Sequence, residues 1–281
     1  MKTNQSSIAH LPVKHSLNIY YGVSLLIALL MFLASLAGLL YPQIVYPSDE
    51  LRQAFIPNDL VNLLIGLPIL LLSMWLARRN KLVGLLFWPG ALFYVFYTYV
   101  VYVFSMPLNL ALLVQVALLI LSAYALIAFV ANIEGVNVKN QLDGAVSEIV
   151  GGGVLVGFGI LFLLRATGIM LSAIFNQAPL ANTEIALNIA DLLLAPAFII
   201  GGLLLWRRAA LGYVTGLGLL FQASMLFIGL LVILIVRPYI TTAQFAPVDV
   251  LVVTLMGMVC FIPFVLFLRG VTSKRRPLPL P

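Results

Sequence analysis

Apolar residues run along this chain in eight long blocks, and the polar and charged positions are pushed into the short segments between them. The blocks are residues 17–41, 60–77, 82–104, 108–131, 150–175, 185–206, 209–236 and 248–268. A bilayer span needs roughly 20 mostly apolar residues in helical form. None of the blocks alternates apolar with polar as a barrel strand would. The pattern therefore predicts an all-α, polytopic transmembrane bundle of eight helices.

Composition agrees, with 63% hydrophobic residues and only 9% charged ones. Soluble domains carry about a quarter charged residues, so water is not this chain's main solvent. The net charge of +6 would suit nucleic acid, but the bases sit beside the spans. On one side of the alternating topology lie twelve: Lys2, Lys14, Arg78, Arg79, Lys81, Lys139, Arg207, Arg208, Arg269, Lys274, Arg275 and Arg276. The other side has two, Arg52 and Arg237. This bias places both termini in the cytoplasm and the protein in the cell membrane, with lipid as its partner and nucleic acid excluded. Ser35-Leu36-Ala37 resembles a signal-peptidase site, yet the apolar run around it exceeds a signal core, so it reads as a retained span.

Sliding the chain by 128 residues pairs Pro68 with Pro196, Arg79 with Arg207, Gly84 with Gly212, Gly90 with Gly218 and Phe93 with Phe221. These matches argue for a duplication into two parallel four-helix repeats, 17–131 and 150–268. A cytoplasmic tail of residues 1–16, a polar linker of 132–149 and a basic tail of 269–281 complete the division. Pro68 and Pro196 lie inside their spans, where a missing amide permits a kink. Residues 42–57 read as an outer loop whose Tyr-Pro steps favour extended backbone. The proline-rich residues 277–281 read as an extended tail.

Arg165 is the one base inside a span. A charge in hydrocarbon is costly and usually pairs or lines a wet cavity. Asp191 lies at a matching depth on the next helix, so an ion pair is expected, and the other half has Ala37 and Leu63 at the corresponding positions. Asn188 and Asn62 lie near the same level, and Tyr94 and Tyr97 share an inward face of the third helix. Arg165, Asp191, Asn188, Asn62, Tyr94 and Tyr97 are the candidate intramembrane polar site. Asp59 and Asn62 on the second helix, Asn188 beside Asp191 on the sixth and Asp249 on the eighth are also a candidate lining for an outward vestibule. At the expected helix starts, Asp59 and Asp249 read as caps that complement the dipole. Tyr99 and Tyr102, on another face, read as an aromatic belt. Gln115, Gln222, Ser224 and Thr254 read as interhelical hydrogen bonds, and Gly153-x-x-x-Gly157 and Gly212-x-x-x-Gly216 as close-packing signals.

No span contains lysine, Cys260 has no cysteine partner, and His10 and His15 lack acidic or thiol companions. Motifs for serine hydrolysis, metal hydrolysis and thiol redox are missing, so no catalytic residue, metal or cofactor is assigned. Segments 85–104 (LLFWPGALFYVFYTYVVYVF) and 190–214 (ADLLLAPAFIIGGLLLWRRAALGYV) resemble a group of prokaryotic multi-pass membrane proteins. In that group an acid near a helix start precedes a mid-helix proline and an Arg-Arg-x-x-x-Gly turn. It carries no assigned activity, so the resemblance transfers no functional residue. Three functions fit, in this order: a transporter of a small solute or ion, a structural or assembly partner of other membrane proteins, and a lipid-active enzyme. They are separated by what lies in the membrane: a hydrated cavity at Arg165 or Asp191, a lateral groove, or clustered acids and bases at the headgroups.

Overall fold

The computed structural model describes residues 11–240 and 244–273. Lys2, His10, the bases from Lys274 onward and the proline-rich end lie outside the described residues. The described chain is all-α, a polytopic bundle with eight helices long and apolar enough to cross a membrane. Its elements are α1 (Asn18–Leu40), α2 (Pro42–Val45), α3 (Asp49–Val61), a π turn (Asn62–Gly66), α4 (Leu67–Arg78), α5 (Leu82–Ser105) and α6 (Leu110–Asn132). Then follow α7 (Gly135–Leu142), α8 (Glu148–Phe175), α9 (Asn182–Trp206), α10 (Ala210–Ile240) and α11 (Pro247–Thr272). One span is composite, since α3, the π turn and α4 form a continuous helix from Asp49 to Arg78.

That composite span corrects the expected loop and the expected start near residue 60. Ser48 caps the helix by accepting from the Leu51 amide at 3.2 Å, and Asp49 and Glu50 occupy the first turn. These side chains satisfy and complement the free amides, so the helix begins in polar sequence before the apolar run. Pro68 acts through the turn before it. The π turn closes with the Leu67 amide on the Asn62 carbonyl, absorbing the local disruption a proline brings. By contrast, α9 runs unbroken through Pro196. The linker also holds more order than expected, because it contains α7.

The two hairpins at the basic end share one construction. Asn80 and Arg208 both take left-handed backbone, with φ of 55° and 54°. Lys81 donates to the Leu76 carbonyl at 3.0 Å, and Ala209 donates to that of Leu204 at 2.8 Å. These are Schellman closures, which satisfy carbonyls that a helix end leaves free. Gly84 lies against Leu76 and Ala77, and Gly212 against Leu204 and Leu205, too close for a Cβ in either case.

At the centre, α5 is the most enclosed span, 78% buried against 44% or less for the others. It meets α10 where Gly90 and Gly218 touch backbone to backbone. Small residues govern α8 against α9 as well, through Gly152 on Gly202 and Gly159 on Ala195. Gly153 and Gly157 meet nothing within 4 Å, which corrects their reading as a packing pair. Ser224 and Thr254 likewise bond carbonyls of their own helices, at 2.9 and 2.7 Å, rather than a neighbouring helix.

Candidate functional site

Two buried polar clusters lie on either side of α5. In the first, the Asp59 carboxylate is 1% exposed and accepts from Tyr46 Oη at 2.6 Å and from Tyr102 Oη at 2.9 Å. Room for this contact comes from Gly38 on α1, where a Cβ would overlap both Asp59 and Tyr46. Below it, Tyr94 donates to Asn62 Oδ1 at 2.7 Å, and Asn62 donates to Ser35 Oγ at 3.2 Å. Gly66 makes space for the Tyr94 ring. Arg52 donates to the Tyr46 carbonyl at 2.9 Å and fixes the α2–α3 turn that delivers the phenol. Burial, and then the negative charge and hydrogen bond of Asp59, raise the Tyr46 hydroxyl above the ordinary tyrosine pKa.

Asp59 is therefore an interior acceptor within a helix, not a cap, because its helix starts earlier than the composition suggests. Tyr99 and Tyr102 are buried at 1% and 2% exposure, not set in an aromatic belt. Their helix is central to the bundle, so these two tyrosines are enclosed by protein.

In the second cluster, Arg165 Nη2 donates to Asp191 Oδ2 at 2.9 Å, and Tyr97 Oη donates to Asp191 Oδ1 at 2.9 Å. The Asp191 side chain is 2% exposed and that of Arg165 is 40% exposed. Asn188 stands apart, bonded through Nδ2 to the Glu184 carbonyl of its own helix, with its buried Oδ1 unpartnered. The six candidate residues thus divide into Asn62 with Tyr94, Arg165 with Asp191 and Tyr97, and Asn188 alone. Asp59, Asn62, Asn188 and Asp191 are all buried, so they do not line an open vestibule, and exposed Asp249 occupies the first turn of α11.

Missing from the sequence reading were Tyr46, Tyr102, Ser35 and Gly38 as one constellation with Asp59. The signal available was Ser48-Asp49-Glu50, a helix start that would have put Asp59 more than two turns inside.

A further hollow lies elsewhere. A lateral cavity of about 960 Å³ opens between α5, α6, α7, α9 and α10, beside the Gly90–Gly218 contact. Its wall includes Phe93, Leu126, Ala197, Gly201 and Thr215, and neither Arg165 nor Asp191 reaches it. Lys14, Glu134 and Asn137 stand at its mouth, at the basic end of the bundle. Lys14 is held there by residues 11–16, which the sequence assigned to a tail. Val13 and Ile133 form an antiparallel bridge, Lys14 N donates to the Asn132 carbonyl at 2.9 Å, and Glu134 N donates to that of Pro12 at 2.8 Å. Asn132 also exchanges side-chain hydrogen bonds with the His15 backbone at 2.9 and 3.1 Å. No protein-family model, curated protein or solved structure matches the chain.

Proposed function

We propose that this multi-pass membrane protein binds a lipid from the cytoplasmic leaflet and holds an apolar chain of it in the lateral groove. The observation that carries this reading is the groove itself, with its charged residues at one end and apolar along its depth apart from Thr215, whose hydroxyl donates to the Leu211 carbonyl of its own helix. Its α10 wall runs from Ala210 to Leu219. Nine rises of 1.5 Å give about 14 Å, close to half of a roughly 30 Å hydrocarbon core. A one-leaflet groove with a polar mouth has the proportions of a lipid. A partner's transmembrane helix would cross both leaflets and find support for only half its length, which weighs against the assembly reading.

Small-solute transport at Arg165 and Asp191 has less support. It needs a hydrated approach, whereas Asp191 is closed in by Arg165 and Tyr97. The pair acts, in this reading, as a lock between α8, α9 and α5. The positive-inside bias supports a cytoplasmic basic end and the cell membrane. The matched hairpins and the Gly90–Gly218 contact support two four-helix repeats, 17–131 and 150–268, meeting at α5 and α10.

The test is phospholipid retention by the full chain purified in mild detergent, measured by native mass spectrometry. The wild type is expected to carry bound phospholipid. Ala197→Phe, which adds a ring to the groove wall, is expected to lose it while keeping its melting temperature within a few degrees. Equal retention by a folded Ala197→Phe variant would overturn the reading.

A further inference from the structure

The offset of 128 residues that relates the two basic-end hairpins also relates the two flanks of the α5–α10 contact. On one flank Phe87 packs against Phe221 with ring centroids 4.8 Å apart and against Phe264 at 5.8 Å. Phe221 and Phe264 are themselves 6.1 Å apart, so three rings fill that side. The residue corresponding to Phe87 is Thr215, and the residue corresponding to Phe221 is Phe93. Both line the groove. One flank is therefore plugged by an aromatic cluster, and on the other a threonine replaces the phenylalanine and leaves a hollow. Protein interiors are close-packed, and large voids are few. A hollow where the related position carries a plug is space kept for an occupant from the membrane.

The mouth specifies the chemistry of that occupant. Lys14 Nζ donates to the Ala131 carbonyl at 2.7 Å, which holds the ammonium at the rim and leaves two of its three donors free. Glu134 accepts from Asn137 Nδ2, which orients the carboxylate and leaves most of its acceptor sites open. No ion pair joins Lys14 to Glu134 among the described residues. One cation and one anion thus face the same opening. An anionic lipid would satisfy Lys14 but be repelled by Glu134. A quaternary ammonium would offer Glu134 no hydrogen-bond donor, and among the described residues no aromatic side chain stands at the rim to cage it.

We propose that the groove selects a zwitterionic phospholipid with a primary ammonium, the phosphoethanolamine class. Lys14 donates to the phosphate, Glu134 accepts from the ammonium, and one acyl chain lies along Phe93, Ala197 and Thr215. This assignment rests on the lipid-binding reading and adds the headgroup to it. Charge-assisted hydrogen bonds are about twice as strong as neutral ones, so each mouth contact bears on selection.

The experiment places the full chain in liposomes of equimolar phosphatidylethanolamine, phosphatidylcholine and phosphatidylglycerol with matched acyl chains. Lipids that co-purify are then counted by native mass spectrometry. Wild type is expected to retain about ten phosphatidylethanolamine molecules for each molecule of either other lipid, a difference that corresponds to about 1.4 kcal/mol. Glu134→Gln keeps the contact with Asn137 but loses the charge, and is expected to bring the three lipids to near-bulk proportions. Lys14→Gln is expected to lower retention of all three, since each carries the phosphate. Thr215→Phe, with Ala197→Phe as a second plug should the first fail to fold, is expected to abolish retention.

The outcomes separate the two proposals. If the plugs release lipid but Glu134→Gln keeps the wild-type headgroup preference, the headgroup assignment falls and the lipid reading stands. Enrichment of phosphatidylglycerol by the wild type overturns the assignment in the same way. Retention by both folded plug variants overturns the lipid reading and the assignment with it.

Discussion

Single residues in this protein differ most in how their charge is balanced. Asp191 has a guanidinium at 2.9 Å, whereas Asp59 is held by two phenol hydroxyls and no lysine or arginine forms an ion pair with it among the described residues. The first arrangement was legible in the sequence, because a lone arginine in hydrocarbon has few partners and the next helix offers one acid at a similar depth. The second was not, since Asp59 sits where polar composition gives way to apolar and so imitates a helix end. Removing one member of a fully buried pair leaves a stranded charge at a cost of about 3–5 kcal/mol, which is a ceiling here because the Arg165 side chain is 40% exposed. Asp191→Asn is therefore expected to lower the melting temperature sharply and to raise the chemical accessibility of Arg165. Arg165→Met with Asp191→Leu should recover much of that loss, because two apolar chains of similar volume leave no charge behind. An Asp191→Asn protein with unchanged folding yield and unchanged Arg165 accessibility would show that the pair carries no energetic weight.

Between elements, close packing is decided by a subset of the glycines. The sequence marks Gly153 and Gly157 as strongly as any others, since spacing alone cannot tell which face of a helix meets a neighbour. In the fold they meet nothing, whereas Gly218 would bring a Cβ to 2.8 Å from Gly90 Cα. Gly218→Ala is expected to force α5 and α10 apart and cost about 1–3 kcal/mol. Gly153→Ala and Gly157→Ala should be neutral or stabilising by up to about 1 kcal/mol, through helix propensity alone. Thermal melts of the three variants in one detergent check the ordering, and equal losses at all three positions would contradict it. The number of spans was readable from hydropathy, because eight apolar runs have no other solvent. The starts of the helices were less so: Ser48 and the acids after it extend α3 into polar sequence, and α7 lies in a segment too short and mixed to stand out.

For the whole molecule, orientation decides which leaflet would feed the proposed lipid groove. The mouth formed by Lys14, Glu134 and Asn137 lies at the basic end. If that end is cytoplasmic, as proposed from twelve bases against two, the proposed lipid would come from the inner leaflet. The reverse orientation would open it to the outer leaflet and a different lipid population. Cys260 is the one cysteine and is buried, so Cys260→Ser provides a background for reporters at exposed polar positions. Gln53→Cys and Asn176→Cys place thiols at the end away from the bases, and Asn140→Cys places one at the basic end. A membrane-impermeant maleimide is expected to label the first two on intact cells and the third only after permeabilisation. Labelling of Asn140→Cys on intact cells would reverse the topology, move the groove to the outer leaflet, and require any bound lipid to be sought there.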